Sequence, residues 1–556
     1  MTSRGARAAA IAIFGALVGA CGDDDGPEPA RDAGAFDAAT DSGRVGLDAA
    51  RDDAATVTDG GLGVDSAVPP DAAPEPAFVL PEDIVLVPPV TDGPILATIT
   101  GYEMTTPCPF AESHCERPLY ASYDRDMPEW WDVLVEELLT SRVNVVLAHG
   151  RGCYDPDTGT DGNGNMCPRL LSRLVDAIDR AGARSVIRLA MWDDTGAYQG
   201  ARNTVDGLPA DTRFDLADPT SWRFFWDHNM KIWFDTIPSE LWFRLDGRPV
   251  VAFWTLSSFF FQNQSGNASA LLRDLRAQFM ARYGEDPLFV VDTTWVSEDA
   301  TIGTSEAQGV HDWFGPPDGW YTYRDWGGAQ WGAAVPGFRD PDNAPGCGVA
   351  CREVPRRDGD ALREALAAGS GARFVMLEGW TDVAESAGYY RSEAWRYPSQ
   401  YLNVVREHAD PRVPTLRLQA EAADRYFDRS AGNVGSSPYR AGGDLDTGRL
   451  TDATGWFVGW TEPGEWIEHA EAHLACGTYR FTARVAANAE QTVHLEIDGH
   501  SLGAVTVPAT ADFDTYELVH LGAAPLAAGP HDLRLVTDTG ATNLDYLFLR
   551  RSTPCP

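Results

Sequence analysis

Two short stretches of the chain place carboxyl groups and indole rings side by side directly after apolar runs. In Met191-Trp192-Asp193-Asp194, two acids follow the run ending at Ala190. In Leu377-Glu378-Gly379-Trp380-Thr381-Asp382-Val383-Ala384-Glu385, three acids flank a second Trp, again behind an apolar run. Paired carboxyl groups are the machinery of glycosidic bond cleavage, in which one protonates the leaving oxygen and the other activates water or attacks the sugar. Adjacent, desolvated acids have their pKa values pushed apart, which separates an acid from a base. Asp193, Asp194, Glu378, Asp382 and Glu385 are therefore the candidate catalytic set, with Trp192 and Trp380 as candidate sugar platforms. Helix capping and pairing with Arg188 or Arg202 are the structural alternatives for the first pair. Asp292, at the end of another apolar run, and His311-Asp312 are further substrate-binding candidates. No Gly-x-Ser-x-Gly elbow and no His-Glu-x-x-His helix occurs, which removes the simplest serine esterase and zinc peptidase readings.

The elements that must position these acids alternate between apolar runs and amphipathic segments from Pro94 to about Asp410, the pattern of βα units. Strands are expected over Ile95–Thr100, Val143–Ala148, Ser185–Ala190, Pro249–Trp254, Leu288–Asp292, Trp320–Tyr323 and Phe374–Leu377, with one more hidden before Pro336. Helices are expected over Trp130–Thr140, Cys167–Ala181, Ala268–Tyr283 and Asp360–Ala368. The fold class this predicts is α/β, an eight-stranded (β/α) barrel of TIM type with its chemistry at the strand ends. An open doubly wound sheet is the alternative, although no phosphate-binding loop follows any of these strands. After Pro414 the texture changes to short alternating strands, Tyr479–Val485, Thr492–Ile497 and Leu533–Val536, which predicts an all-β jelly-roll sandwich.

With 556 residues the chain is long enough for at least two folded domains, and a net charge of -38 argues against nucleic acid as a partner. The first 21 residues read as an export signal with basic Arg4 and Arg7, an apolar stretch from Ala8 to Val18 and a small-residue cleavage site. Residues 22–78 are rich in Asp, Ala, Gly and Pro and read as a disordered linker. The barrel is placed at 79–412 and the sandwich, expected to fold independently, at 415–556. Nine cysteines less Cys21 leave eight, an even number for an oxidising compartment. Spacing pairs Cys108 with Cys115, Cys153 with Cys167 and Cys347 with Cys351, leaving Cys476 with Cys555.

Several landmarks carry a resemblance to known families. Val18-Gly19-Ala20-Cys21 resembles the bacterial lipobox, which implies lipidation of Cys21 and anchoring at the cell envelope, at the outer membrane or cell surface. Asp246-Gly247-Arg248-Pro249-Val250-Val251, Asp318-Gly319-Trp320-Tyr321-Thr322-Tyr323, Val335-Pro336-Gly337-Phe338 and the Trp380 loop resemble, in order, landmarks of glycoside hydrolase family 99 and 71 barrels. The resemblance adds Tyr323 to the substrate-binding candidates. Gly379 departs from it, standing where that group has its principal Glu. The bacterial branch called domain-of-unknown-function family 5010 is more similar, sharing Glu385, Tyr397-Pro398 and Tyr401-Leu402.

Residues from Gln419-Ala420-Glu421-Ala422 through Val458-Gly459-Trp460-Thr461, Gly464-Glu465-Trp466 and Asp498-Gly499 to Asn543-Leu544-Asp545-Tyr546 resemble family 6 and family 35 carbohydrate-binding modules. That resemblance implies a structural Ca²⁺ held by Glu421 and Asp545, and a sugar cleft built on Phe513 and Asn543 with Trp456 as a second ring. The function implied is a lipid-anchored glycoside hydrolase acting on a polysaccharide or glycan, without a catalytic cofactor and touching membrane only through its anchor. Its rival is a non-catalytic surface glycan-binding protein.

Overall fold

The computed structural model describes residues 94–100, 116–120, 123, 125–150, 168–313, 321–339, 353–383, 386–409, 413–451 and 455–555. The export signal, Cys21, the 22–78 linker, Asp318, Gly319, Trp320, Glu385 and the cysteines at 108, 115, 153, 167, 347 and 351 lie outside the described residues. Among the described residues no helix is long and apolar enough to cross a membrane.

The first part is a mixed α/β structure around a ten-stranded sheet that curls into a nearly closed barrel. Its strands are β1 (Ile95–Thr100), β2 (Val145–Gly150), β3 (Arg188–Asp193), β4 (Arg248–Phe253), β5 (Leu288–Asp292), β6 (Gly309–His311), β7 (Tyr321–Trp326), β8 (Ala329–Ala334) and β9 (Phe374–Leu377). A two-residue strand, Arg244–Leu245, is added antiparallel on β4. The order β8-β9-β1-β2-β3-β4-β5-β6 is parallel throughout and sequential around the barrel, which excludes the reversed order of a doubly wound sheet.

Among the described residues no ladder joins β6 to β8, and β7 pairs with β8 antiparallel, so a closed TIM-type barrel is not what is seen. Regular helices are also few. The main ones are α1 (Pro128–Ser141), α2 (Pro168–Arg180), α3 (Tyr198–Val205), α4 (Asn267–Tyr283), α5 (Asp360–Ala368) and α6 (Gln400–His408). Between β5 and β6 there is only the six-residue helix Thr293–Glu298. Strands β1, β5 and β9 fall where the apolar runs place them. The run at Trp320–Tyr323 is instead the hairpin arm β7, and the short β6 had no apolar run long enough to announce it.

Two side-chain layers follow from the period of two along each strand. Ile95, Ala97, Val145, Leu147, Ala190, Trp192, Val250, Ala252, Leu288, Val290, Trp331, Ala333, Phe374 and Met376 fill the barrel interior as one buried cluster. Their neighbours, such as Val146, Leu189, Met191, Val251, Val291 and Leu377, pack outward against the helices.

The C-terminal part is β-rich, as a carbohydrate-binding module requires. Its strands are β10 (Thr415–Gln419), β11 (Arg425–Phe427), β12 (Thr447–Arg449), β13 (Trp456–Val458), β14 (Glu465–Leu474), β15 (Gly477–Ala486), β16 (Gln491–Ile497), β17 (His500–Val507), β18 (Glu517–Leu526), β19 (Gly529–Thr537) and β20 (Asn543–Pro554). One sheet runs β12-β13-β20-β15-β18, with β10 also on β20, and the other runs β11-β14-β19-β16-β17. The β16–β17 hairpin turns at Asp498-Gly499, both with positive φ (51° and 76°), the backbone that a tight two-residue turn demands. Cys476 and Cys555 form a disulfide.

This sandwich and the barrel share packing. Asp424 accepts from the backbone N–H of Ser399 at 2.6 Å and of Ala470 at 2.9 Å, joining both parts through one buried carboxylate. Arg406 on α6 donates to the carbonyl of His473 at 3.1 Å, and Arg440 donates to Glu393 at 2.6 Å.

Candidate functional site

Extending the inward phase of each strand by one step brings a distinct set of side chains to the end of the barrel where the parallel strands finish. His149 continues the Val145, Leu147 series, Asp292 continues Leu288, Val290, and Glu378 continues Phe374, Met376. His311 pairs in register with Asp292 and shares its phase. Asp194 joins them, since its Oδ2 lies 3.1 Å from His149 Nε2. All five are buried. His149–Asp194 and His311–Asp292 thus form two histidine–carboxylate pairs, the second wider, with 3.9 Å between Nδ1 and Oδ2.

The same period separates Asp193 from Asp194. Asp193 faces the helix layer, where its Oδ2 accepts from the Tyr198 hydroxyl at 2.6 Å and from Asn229 Nδ2 at 3.1 Å. Asn229 sits in the π-helical turn Trp226–Met230, a local widening that carries its amide to β3. Burial, seconded by repulsion from Asp194, pushes the Asp193 carboxyl well above the usual carboxylate range. Asp193 is thus held in a structural hydrogen-bond cluster, away from the interior.

The second acid cluster divides in the same way. Trp380 is not a sugar platform. Its backbone N–H donates to Ile99 at 3.0 Å, its indole donates to Glu137 on α1 at 3.3 Å, and its ring lies on Tyr389 with centroids 5.2 Å apart and 9° between planes. Asp382 follows it out of the interior, packed against Gly379 and near Tyr390, whose phenol is raised first by burial and then by the charges of Glu116 and Asp382. Gly379 itself adopts φ +73°, and a Cβ there would stand 2.9 Å from that of Asp382. A Glu at this position is thus sterically barred by the turn that buries Trp380. Of the five candidate acids, Asp194 and Glu378 share the interior, Asp193 and Asp382 do not, and Glu385 is outside the described residues.

Among the remaining candidates, Trp192 is inward but deeply buried, with its ring 5.4 Å from His311 and 5.0 Å from the half-buried Trp313. Asp292 has a double duty. Its Oδ1 caps the Thr293–Glu298 helix through the Thr294 N–H and hydroxyl, and its Oδ2 accepts from the Trp313 N–H at 3.0 Å. Asp312 has the opposite phase and is held by Thr293 and Arg324. Tyr323 lies on the hairpin arm and donates to the Ala365 carbonyl on α5 at 2.6 Å, so it is a packing residue rather than a substrate contact. Sequence reasoning passed over His149 and Trp313, although His149 stands in phase with the apolar residues before it.

On the sandwich, Asn543 donates to the Phe513 carbonyl at 2.9 Å and touches the space beside Gly459, which joins the two predicted cleft residues. The second ring is not Trp456. That side chain is buried against Tyr439 (4.8 Å) and Tyr123 (5.4 Å), within the barrel's own core cluster. Trp460, next to Gly459, is instead 49% exposed and stacked on Phe457 at 5.7 Å. Its signal was its place in the Val458-Gly459-Trp460-Thr461 landmark.

Glu421 and Asp545, the predicted calcium ligands, both line a cavity of about 630 Å³ between the sandwich and barrel helices α1 and α2. Glu421 is buried, its Oε2 has no hydrogen-bond partner, and burial together with the Asp545 charge holds its carboxyl well above the usual range. Gln419 Oε1, in the same cavity, also lacks a partner. Orphaned hard oxygens beside a second carboxylate are a donor set that fits Ca²⁺. Arg484 pairs with Asp545, and among the described residues no group of three or more His, Cys, Asp or Glu makes a metal cluster on its own.

The family profile described as domain of unknown function (DUF5010) matches residues 108–425, and that described as carbohydrate binding module (family 35) matches residues 441–549. No curated protein matches the chain. Similar solved structures include the C-terminal CBM6 of LamC, a marine laminarinase from Zobellia galactanivorans, at 19% identity, 25% coverage of this chain, 99% of that one and TM-score 0.21. CsCBM6-3 from Clostridium stercorarium, solved with cellobiose, matches at 25% identity, 24% and 93% coverage and TM-score 0.20. The GH26-CBM35 β-(1,4)-mannanase of Podospora anserina matches at 19% identity, 26% and 29% coverage and TM-score 0.20.

Proposed function

We propose, from the premise that this chain belongs to the DUF5010 family, that it is a glycan-acting enzyme whose TIM-like barrel hydrolyses a glycosidic bond while its family 35 module holds the polysaccharide. The observation that carries the reading is the shared inward phase of Asp194 and Glu378 at the strand ends of one barrel. One carboxyl protonates the glycosidic oxygen, and the other activates water or attacks the anomeric carbon. Strands β9, β1, β2 and β3 are consecutive neighbours in the sheet, so inward side chains at the ends of β3 and β9 face the same end of the barrel.

The module delivers substrate through the Trp460, Phe513 and Asn543 cleft, raising its local concentration at the barrel. Glu421, Asp545 and Gln419 would hold a Ca²⁺ that staples β10 to β20. Export and lipidation at Cys21, with residues 22–78 as tether, would present the whole at the cell envelope. The test is reducing-sugar release from a panel of mannans, glucans and host-type glycans. Asp194→Asn and Glu378→Gln should each lower turnover by orders of magnitude, and retention on the polysaccharide should survive. Equal turnover in both variants and the wild type would end the assignment.

A second reading, a glycan-binding protein without turnover, is favoured by one observation. Gly379 fixes a backbone in which the principal Glu of the related hydrolases has no room. Binding to a polysaccharide with no product from any member of the panel would select it.

A further inference from the structure

Among the inward-facing groups at the barrel end, one has its chemistry fixed by its surroundings. His311 Nε2 lies 2.9 Å from the carbonyl oxygen of Phe253. A carbonyl only accepts, so Nε2 carries the proton and Nδ1 presents a lone pair. Nδ1 has no hydrogen-bond partner, though the imidazole is 1% exposed. Asp292 Oδ2, at 3.9 Å, is beyond hydrogen-bonding distance, and its lone pairs already take the Trp313 N–H. Burial lowers the pKa of the ring, in keeping with a neutral imidazole.

The surroundings also limit which group can bond to Nδ1. The partner must be a donor, since Nδ1 accepts. It must be neutral or nearly so, because the Asp292 carboxylate, 3.9 Å from Nδ1, would repel an anion. Trp192 lies 5.4 Å from the imidazole, and Trp313, half-buried, lies 5.0 Å from Trp192. Indole faces take the C–H face of a sugar ring while its hydroxyls point to polar groups at the edge.

We propose that His311 Nδ1 accepts a hydrogen bond from a hydroxyl of a neutral sugar, in a subsite completed by Trp313. This deepens the reading of the barrel as a glycan site and rests on it, but it concerns binding, not bond cleavage.

The experiment uses the full chain carrying Trp460→Ala, which silences the module's exposed ring. Calorimetric titration with cellotetraose, laminaritetraose, mannotetraose and, as the charged probe, tetragalacturonic acid reads the barrel alone. At least one neutral probe should bind, and the acidic one should bind no better than a tenth as well. His311→Leu should weaken the neutral probe at least tenfold. His311→Gln, whose amide can donate to Phe253 and accept in place of Nδ1, should stay within about threefold. Selective ¹⁵N-histidine spectra of the unsubstituted chain give a readout that needs no variant to fold, since bound sugar should shift the Nδ1 resonance of His311.

Affinity unchanged in His311→Leu, no barrel binding of any neutral probe, or an Nδ1 resonance unmoved at saturation would each overturn the proposal. The last result would assign the partner as water. If the hydrolase reading alone fails, binding persists without product. If this proposal alone fails, product appears with the same KM in His311→Leu.

Discussion

The indole of Trp456, on the sandwich, donates to the phenol oxygen of Tyr123, on the barrel, over 3.1 Å. With Tyr439 tilted against it, this ring belongs to the barrel's core rather than to a sugar cleft. The sequence marks Trp456 as an aromatic residue near a cleft motif, and nothing local says which of two hydrophobic surfaces will claim it.

The two parts should therefore unfold together. Differential scanning calorimetry of the protein should show one main transition, and Trp456→Ala should cost about 3–5 kcal/mol, the range for removing a buried large aromatic. Residues 415–556 expressed alone should melt well below the full chain. An excised module as stable as the intact protein would contradict the shared core.

Trp460 should carry polysaccharide retention. Exposed, and stacked on Phe457, it offers a ring face to solvent that Trp456 does not. Trp460→Ala should reduce affinity for immobilised polysaccharide by about tenfold or more, as aromatic anchors in binding sites do, without lowering the melting temperature. Affinity electrophoresis of the two variants side by side separates the roles: loss in the Trp456 variant only would reverse the assignment.

Glu137 predicts a pH dependence of stability. Burial raises its carboxyl to about 7 from an ordinary 4.5, against the opposing charge of Arg391. Below 4.5 it is protonated in both folded and unfolded chains, and between 4.5 and 7 only the unfolded chain ionises. Its contribution is thus fully present at low pH and lost as pH rises through about 7. Glu137→Gln, neutral at every pH, should flatten the denaturant-measured stability over this window. The same slope in both proteins would mean that another group is responsible.

Gly379 should tolerate no side chain. Its φ of +73° and the close Cβ of Asp382 predict a loss of about 1–3 kcal/mol for Gly379→Ala. Gly379→Glu should be worse, and should not create or enhance hydrolysis although it places there the Glu of the family 99 and 71 barrels that the sequence resembles. Chemical denaturation and a product assay on both variants check this.

What was legible in the sequence depended on period and phase. Ile95–Thr100, Leu288–Asp292 and Phe374–Leu377 are buried on both faces, so they stand out as apolar runs with clear ends. Gly309–His311 is three residues long and ends in a histidine, which reads as loop until its neighbours are known. The strand predicted to end at Ala190 runs on to Asp193, and that shift changes the chemistry. Once Asp193 is inside the strand, alternation sends it outward and leaves Asp194 to turn in. Adjacent acids look equivalent on paper and are opposite in space. The Glu378 cluster failed for a related reason, because a glycine turn, which no periodicity governs, redirects Trp380 and Asp382 away from Glu378.

Strand β20 pairs with β10, β13 and β15, and so stands in the middle of its sheet although it is the latest of these strands to be synthesised. Until residues 543–554 emerge, the earlier strands of that sheet have no common partner to gather on. The order of synthesis thus leaves these strands without their central partner until β20 is made, and unpaired strand edges are where an incomplete sheet is most prone to aggregate.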